Sequence, residues 1–321
     1  MKILITRKIT NRGIEMLQEK GYELFINMHD RELTPEELIE KGKGVDAILS
    51  QLEDKIDAGV MDAWGGGVKI IANYAVGFDN IDVASAKERG IVVTNTPDVL
   101  TETVAEHTFA LMLAIAHRVA EADRFSRAGK YKGWEPELLL GTDVSRKTLG
   151  VVGLGRIGAR VAEHGARGFN MRVLYYDLKR NEQFEQDFNA EFKATPEEVL
   201  ASADFVSLHV PLLDSTRHLI NAERLAMMKP TAYLINTSRG AVIDEVALRD
   251  ALKAGIIKGA AIDVWEHEPE LTPGLTDLEN IIITPHIASA TVETRQKMAE
   301  VAAENIIAVL EGKAPLNAVR A

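Results

Sequence analysis

Three side chains in the second half of the chain have the chemistry to hold and protonate a small organic acid. They are Arg239, Glu268 and His286, and each follows a different short apolar run. An arginine presents a permanently charged planar fork that matches a carboxylate and can polarise a carbonyl. A histidine can exchange a proton near neutral pH, and a neighbouring glutamate would raise its pKa by stabilising the imidazolium.

Position along the chain also allows simpler interpretations of each residue. Arg239 could face a phosphate or form a structural ion pair, and His286 could satisfy backbone groups at a turn. Glu268 stands next to Pro269 and could be a solvated loop acid. His267 is adjacent to Glu268 and is a rival for proton transfer. The spacing alone leaves these alternatives open.

A glycine-rich segment, Gly153-Leu154-Gly155-Arg156-Ile157-Gly158, has the pattern G-x-G-x-x-G. It follows an apolar run and opens an amphipathic helical stretch, which is the context of a dinucleotide-binding turn. The first glycine permits the tight turn, the second lets backbone approach a pyrophosphate, and the third lets the helix pack close to the sheet. The helix N-terminus then attracts the phosphates.

Asp177 ends the next apolar run, where a carboxylate can accept the ribose hydroxyls and repel a 2′-phosphate. This position favours NAD over NADP, although Lys179 and Arg180 follow closely and could soften the preference. His209, after another apolar run, is expected near the cofactor. The three chemical side chains and this turn together predict hydride transfer between NAD and a small 2-hydroxy or 2-keto acid.

The elements that position these residues are two series of short apolar runs alternating with helical patterns. This rhythm predicts an α/β fold with parallel sheets, in which ligands bind beyond the carboxyl ends of the strands. One series fills the first hundred residues, and the other starts at Thr148. Between them we predict one helix from Thr101 to Arg127, capped by Thr101 and apolar in its middle.

The composition limits the classes of function. A chain of 321 residues favours two domains, and a net charge of −11 opposes nucleic-acid binding. The absence of cysteine excludes disulfides, thiolate catalysis and cysteine-ligated zinc, and we expect no metal site. The longest apolar stretch, Phe109 to Ala116, is too short to span a bilayer. We therefore expect a cytoplasmic protein that does not bind membranes.

At these residues the sequence resembles the D-isomer-specific 2-hydroxyacid dehydrogenase family, and within it the glyoxylate/hydroxypyruvate reductase branch. The matching segments occur in family order over almost the whole chain. Besides the glycine turn, they are Asn73–Asp82, Asn95–Thr103, Asn236–Gly240, Asp263–Pro269 and Thr284–Ser289.

The resemblance implies a role for each site residue. Arg239 would bind the substrate carboxylate and carbonyl, His286 would be the acid/base, and Glu268 its partner. Val76 and Gly77 would offer backbone N–H groups to the carboxylate. The further cofactor contacts would be Thr103, Arg156, Ile157, Pro211, Thr237 and Asp263, the last near the carboxamide end. Leu52 is expected to face the substrate tail, where an apolar side chain argues against a phosphorylated substrate.

The resemblance also implies a discontinuous arrangement of domains. Residues 1–98 and 287–321 would form a flavodoxin-like substrate domain, and residues 99–286 a Rossmann NAD-binding domain, both doubly wound. Family members are commonly homodimers, and Trp134 would reach the substrate pocket of the partner subunit. The predicted activity is reversible NAD(H)-dependent reduction of glyoxylate or hydroxypyruvate. The alternatives are another acid (D-lactate, 2-ketogluconate or 3-phosphoglycerate) or an NAD(H)-sensing binding protein.

Overall fold

The computed structural model of the protein describes residues 1–29 and 31–319. Three residues of the predicted domain ranges lie outside the described residues: Asp30, Arg320 and Ala321. The chain divides into two compact units, Met1–Leu100 with Ser289–Ala321, and Thr101–Ala288. These units meet at residues 100 and 288, each two residues from the predicted domain boundaries at 98 and 286. Which unit binds substrate and which binds cofactor stays a prediction.

The first unit contains a parallel sheet of five strands in the order β2-β1-β3-β4-β5. This is the flavodoxin-like order that we predicted. Strands β1, β3 and β4 are largely buried and rich in Ile and Leu, as expected for a sheet covered on both faces, whereas the edge strand β2 is partly exposed. The elements are β1 (Lys2–Ile5), α1 (Asn11–Glu19), β2 (Glu23–Ile26), α2 (Pro35–Gly42), β3 (Ala47–Ser50), α3 (Ala58–Ala63), β4 (Ile70–Asn73), α4 (Val83–Glu88) and β5 (Val92–Thr94).

The second unit begins with two helices and continues as a seven-stranded parallel sheet. The strand order is β12-β11-β10-β9-β6-β7-β8, the Rossmann pattern with its reversal between β6 and β9. The predicted α/β class with two doubly wound parallel sheets is therefore confirmed. The elements are α5 (Thr101–Ala116), α6 (Val119–Arg127), β6 (Thr148–Val152), α7 (Arg156–Phe169), β7 (Arg172–Tyr176), α8 (Glu182–Phe188), β8 (Glu191–Phe192), α9 (Pro196–Ser202), β9 (Phe205–Leu208), α10 (Ala222–Met227), β10 (Tyr233–Asn236), α11 (Glu245–Lys253), β11 (Gly259–Ile262) and β12 (Ile281–Ile283). The last helix, α12 (Val292–Leu310), belongs to the first unit and packs on α1 and β4.

The single helix predicted from Thr101 to Arg127 is wrong, because the chain breaks between α5 and α6. Arg118 adopts a left-handed conformation with φ of 56°, which ends the first helix and turns the chain into the second. Its guanidinium binds both carboxylate oxygens of Glu121 at 2.7 Å, which holds the start of α6. Thr101 is itself the first residue of α5 rather than the residue before it. Within residues 1–29 and 31–319, no helix is long and apolar enough to cross a membrane.

Candidate active site

The ends of five strands in the second unit line up along one edge of the sheet. The register pairs Val152 with Leu208, Leu208 with Asn236, Asn236 with Ile262, and Ile262 with Ile283. The residues that come directly after these strand ends therefore share the edge where ligands bind in such sheets. They are Gly153, His209, Thr237, Asp263 and Thr284.

The glycine turn between β6 and α7 is shaped for close approach by a ligand. Gly153 has φ of +95°, and a Cβ there would lie 2.8 Å from the backbone of His209. A Cβ on Gly158 would lie 2.0 Å from the carbonyl oxygen of Gly153, so only glycine lets α7 start this close to the strand. A Cβ on Gly155 would meet nothing within 4 Å, which is the space that a pyrophosphate requires. The turn therefore fits a dinucleotide, with the first turn of α7 facing its phosphates.

Asp177 follows β7 and ties its end to the glycine turn. One carboxylate oxygen accepts a hydrogen bond from the N–H of Leu154 at 2.7 Å, and the other accepts from the N–H of Lys179 at 3.2 Å. The carboxylate is thereby fixed beside the turn, where a ribose with two hydroxyls is favoured over one carrying a phosphate.

His209 lies against the glycine turn through its backbone, as the Gly153 geometry requires. Its N–H donates to the carbonyl of Val152 at 2.8 Å, and its Nε2 lies 2.7 Å from the hydroxyl of Ser207. Burial lowers the pKa of His209 to about 3, so the ring is neutral at physiological pH. A neutral ring that is already hydrogen-bonded is not a proton donor for a ligand, and we interpret His209 as lining the turn.

Arg239 stands on a short loop after β10 that Asn236 organises. The Asn236 side chain accepts hydrogen bonds from the N–H and hydroxyl of Ser238 and donates to the carbonyl of Arg239 at 2.9 Å. One guanidinium nitrogen of Arg239 donates to the carbonyl of Ser238. The backbone that carries the guanidinium is thus fixed by the buried amide at the end of the strand.

His286 and Glu268 form a hydrogen-bonded pair, with Nδ1 of the imidazole 2.9 Å from a carboxylate oxygen. The other oxygen of Glu268 accepts from the N–H of Trp265 at 3.1 Å, which orients the carboxylate. Both side chains are roughly seven-tenths buried, with 28% and 30% of their surfaces exposed. Because Nδ1 is engaged, Nε2 is the nitrogen left to exchange a proton with a ligand. His267, the rival, directly precedes Glu268 and is exposed, and the imidazole paired with the Glu268 carboxylate is that of His286.

Asp263 holds the loop that carries His286. Its buried carboxylate accepts from the Thr284 hydroxyl at 2.6 Å and from the N–H groups of Ile287 and Ala288 at 2.9 and 2.8 Å. The left-handed backbone of His286 (φ 52°) is fixed further by its N–H, which donates to the Asp263 carbonyl. Burial opposes ionisation of Asp263, but hydrogen bonds from His107, Thr284 and the two amides hold its pKa below the usual value.

His107 is a residue of this site that the sequence motifs did not single out. Its Nε2 lies 3.3 Å from the Thr284 hydroxyl and 3.5 Å from a carboxylate oxygen of Asp263. Its neighbour Thr108 shares a hydrogen bond with the Thr237 hydroxyl at 3.0 Å. A signal was present, because His107 lies four residues after Thr103 and so shares its helix face.

The remaining predicted residues fall in both units. Thr103 lies in the first turn of α5, Arg156 and Ile157 begin α7, and Pro211 follows β9. The predicted substrate residues Leu52, Val76 and Gly77 belong to the first unit, in the loops after β3 and β4. Trp134 lies between α6 and β6, and its side chain is largely exposed.

Comparison with known proteins connects this geometry with a family. Residues 109–288 match the family model described as "D-isomer specific 2-hydroxyacid dehydrogenase, NAD binding domain". The chain is 49% identical over 318 residues to a glyoxylate reductase of Pyrococcus furiosus, covering 98% of this chain and 94% of the relative. It is 50% identical over 321 residues to a glyoxylate reductase of Korarchaeum cryptofilum, covering 99% and 95%.

Solved structures show the same likeness over the whole chain. The TT0316 protein of Thermus thermophilus is 46% identical, with a TM-score of 0.93 and full coverage of both chains. An NADPH-dependent glyoxylate/hydroxypyruvate reductase of Sinorhizobium meliloti, in complex with NADP and malonate, is 33% identical with a TM-score of 0.88, covering 99% of this chain and 96% of that one. The resemblance seen in the sequence motifs and the prediction of an NAD-binding oxidoreductase are confirmed. The chain belongs to the D-isomer specific 2-hydroxyacid dehydrogenase family.

Proposed function

We propose that the protein is an NAD(H)-dependent reductase that converts glyoxylate or hydroxypyruvate into glycolate or D-glycerate, reversibly. The observation that carries the proposal is the His286–Glu268 pair, 2.9 Å apart, at the sheet edge that also holds the glycine turn. Arg239 follows a neighbouring strand end on the same edge, so an acid–base pair and a guanidinium are available to one ligand.

Each proposed residue has a defined task in the reduction. The Arg239 guanidinium holds the substrate carboxylate and polarises the ketone oxygen, which makes the carbonyl carbon electrophilic. When bound, the nicotinamide cofactor supplies the hydride. His286 donates its proton from Nε2 to the carbonyl oxygen, and the Glu268 carboxylate stabilises the imidazolium before the transfer. In the reverse direction neutral His286 takes the hydroxyl proton.

The proposed cofactor-binding residues fit NAD, with NADP less favoured. The Asp177 carboxylate would accept the ribose hydroxyls and repel a 2′-phosphate. Gly155 leaves room for the pyrophosphate, while Gly153 and Gly158 let the turn and α7 lie close to the neighbouring backbone. The other proposed contacts are Thr103, Arg156, Ile157, His209, Pro211, Thr237, Asp263 and His286.

We assign substrate recognition to residues 1–98 with 287–321, and cofactor binding to residues 99–286. Val76 and Gly77 would bind the carboxylate with their N–H groups, and apolar Leu52 would face the substrate tail and disfavour a phosphorylated acid. We also propose a cytoplasmic homodimer in which Trp134 contributes to the substrate pocket of the partner subunit.

The proposal is tested by NADH oxidation with a panel of keto acids: glyoxylate, hydroxypyruvate, pyruvate, 2-ketogluconate and 3-phosphohydroxypyruvate. We expect the first two to give the highest kcat/KM. His286→Ala removes the proton donor and should lower kcat about 10²- to 10⁴-fold. Arg239→Ala should lower kcat/KM by at least a similar factor, because it removes both binding and polarisation.

His267→Ala is the matched control, since the residue is adjacent to Glu268 and exposed. It should keep near wild-type turnover, and the Arg239 and His267 variants should bind NADH normally by fluorescence. Near wild-type turnover of the His286 or Arg239 variant would refute the mechanism. A wild-type protein that binds NADH but reduces no acid of the panel would instead be an NAD(H)-sensing protein.

A further inference from the structure

The two backbone amides proposed to hold the substrate carboxylate belong to peptides whose carbonyls are already bound. The carbonyl of Ala75 accepts a hydrogen bond from the N–H of Thr96 at 2.8 Å. The carbonyl of Val76 accepts from the side-chain amide of Asn95, also at 2.8 Å. All of these residues lie within the first unit.

Because the peptide bond is planar, a bound carbonyl also fixes the direction of the N–H group of the same peptide. In a trans peptide the C=O and the following N–H point in opposite directions. Binding of the Ala75 carbonyl therefore aims the Val76 N–H away from β5, and binding of the Val76 carbonyl does the same for the Gly77 N–H. We infer that both donors are directed away from the contacts with residues 95 and 96, and both Val76 and Gly77 are partly exposed.

The next peptide is held as well, by a buried asparagine at the end of β4. The Asn73 side chain donates to the Gly77 carbonyl at 2.8 Å and lies 3.2 Å from the Asn80 side chain. Three successive carbonyls, those of residues 75, 76 and 77, thus have partners on the protein. The loop is fixed before a ligand arrives, so binding an anion requires little further ordering.

We propose that Asn95 is a positioning residue for the substrate carboxylate, holding the Val76–Gly77 peptide so that its N–H faces the anion. The inference rests on the proposed function, because it deepens the role given there to Val76 and Gly77. Without the Asn95 amide, the Val76 carbonyl loses its side-chain donor. Rotation of that peptide would then present an oxygen to the carboxylate in place of a hydrogen-bond donor.

Two substitutions test the inference. Asn95→Ala removes the donor, and Asn95→Asp keeps the shape but replaces the donating NH₂ with a carboxylate oxygen. In both variants the charge-assisted hydrogen bond from the Gly77 N–H to the substrate carboxylate is weakened. The KM for glyoxylate should therefore rise about ten- to thirtyfold. The kcat should stay within about twofold and the NADH dissociation constant should not change, because hydride and proton transfer use other residues.

Oxamate binding to the NADH complex provides a readout that does not depend on turnover. This carboxylate should lose affinity by the same factor as glyoxylate in both Asn95 variants. Asn27→Ala is the matched control, because Asn27 is a buried asparagine of the same unit whose amide holds the Thr6 and Arg31 carbonyls. It should lower the melting temperature without changing KM or oxamate affinity.

The outcomes separate this inference from the proposed function. Unchanged oxamate affinity in Asn95→Ala or Asn95→Asp would overturn the positioning role, as would a fall in kcat at constant KM. A loss of oxamate affinity in both, with normal NADH binding, would support it even if glyoxylate proved to be a poor substrate. Failure of the wild-type protein to reduce any keto acid would count against the proposed function alone.

Discussion

Arg180 illustrates how a neighbour decides which ligand a charged side chain can serve. It follows Asp177 by three positions and could have offset that residue's preference for NAD. In the structure its guanidinium binds both carboxylate oxygens of Glu185, at 2.9 and 2.7 Å. Glu185 also accepts from the Tyr175 hydroxyl at 2.8 Å. The contacts with Arg180 and Tyr175 lower the pKa of Glu185 to about 2, so the carboxylate stays charged and keeps its hold on Arg180.

We therefore predict that Glu185 contributes to cofactor selectivity by occupying Arg180. Asp177→Ser alone should improve binding of 2′,5′-ADP only modestly, because the arginine remains engaged. Adding Glu185→Gln removes the charge that holds it, and the affinity should rise by about another tenfold through a new guanidinium–phosphate contact. Calorimetric titration with 2′,5′-ADP and with ADP measures the change, and the kcat/KM ratio for NADPH over NADH should follow it.

The arginine itself supplies the control for this prediction. Arg180→Gln in the Asp177→Ser, Glu185→Gln background should cancel the gain, whereas Arg180→Gln in the wild type should leave 2′,5′-ADP affinity unchanged. If adding Glu185→Gln to Asp177→Ser brings no gain in 2′,5′-ADP affinity, Arg180 does not reach the 2′-phosphate and the explanation is wrong.

At the scale of elements, the sequence was most informative where one short segment contains the whole signal. The glycine turn and Asp177 lie within one βαβ unit and could be recognised from that unit alone. The alternation of short apolar runs with helical patterns was enough to predict both sheets. Arg239 and His286 could be identified because each directly follows a strand whose end lies on the common edge. Local patterns of this kind can be recognised without knowledge of distant contacts.

The features that were missed depend on contacts between distant segments or on a single backbone angle. His107 meets Asp263 and Thr284 only after α5 packs on the second sheet, and Asn95 meets Val76 only because β4 and β5 are neighbours. The break at Arg118 contains neither glycine nor proline, so nothing in the helical pattern marks it. The short strand β8 has two residues, too few for any periodicity.

Close approach of two loops at the sheet edge leads to a prediction about Gly240. This residue directly follows Arg239 and begins a 3₁₀ turn, Gly240–Val242. A Cβ there would lie 1.9 Å from the carbonyl carbon of Trp265, whose N–H orients Glu268. Gly240→Ala must therefore push the loops after β10 and β11 apart. We expect a loss of about 1–3 kcal/mol in the free energy of unfolding and a fall in kcat/KM of about 10²-fold.

Gly168→Ala is the control for this substitution. Gly168 lies in α7, and a Cβ there would meet nothing within 4 Å. The exchange should stabilise the helix by up to about 1 kcal/mol and leave kcat/KM unchanged. Denaturant unfolding and steady-state kinetics measure both effects. Normal kinetics in Gly240→Ala would mean that the two loops do not depend on each other for catalysis.

At the scale of the whole molecule, the segment between α6 and β6 exposes large apolar side chains. Tyr131, Trp134 and Leu140 are 56%, 83% and 62% exposed, and Val119 at the start of α6 is 53% exposed. Leu140 lines a cavity of about 190 Å³ together with Ile115, Tyr233 and charged residues that include Arg118 and Glu121. Several exposed large apolar side chains within one segment of a chain with a net charge of −11 favour a surface that a partner covers.

We predict that a second copy of the chain covers this surface. Wild-type protein should sediment at about twice the 35.2 kDa chain mass, because an interface between copies removes these side chains from water. Tyr131→Glu with Leu140→Glu places two charges in the interface and should give particles of the single chain mass with unchanged NADH affinity. Met28→Glu, which alters an equally exposed apolar residue of the first unit, should leave the particle mass equal to that of the wild type.

Sedimentation of the wild type as a single chain would rule out the homodimer, and a double variant that stays at twice the chain mass would place the interface elsewhere. If the double variant is monomeric and also has a raised KM for glyoxylate, the proposed contribution of Trp134 to the partner's substrate pocket gains support, because separating the subunits removes that side chain from the pocket.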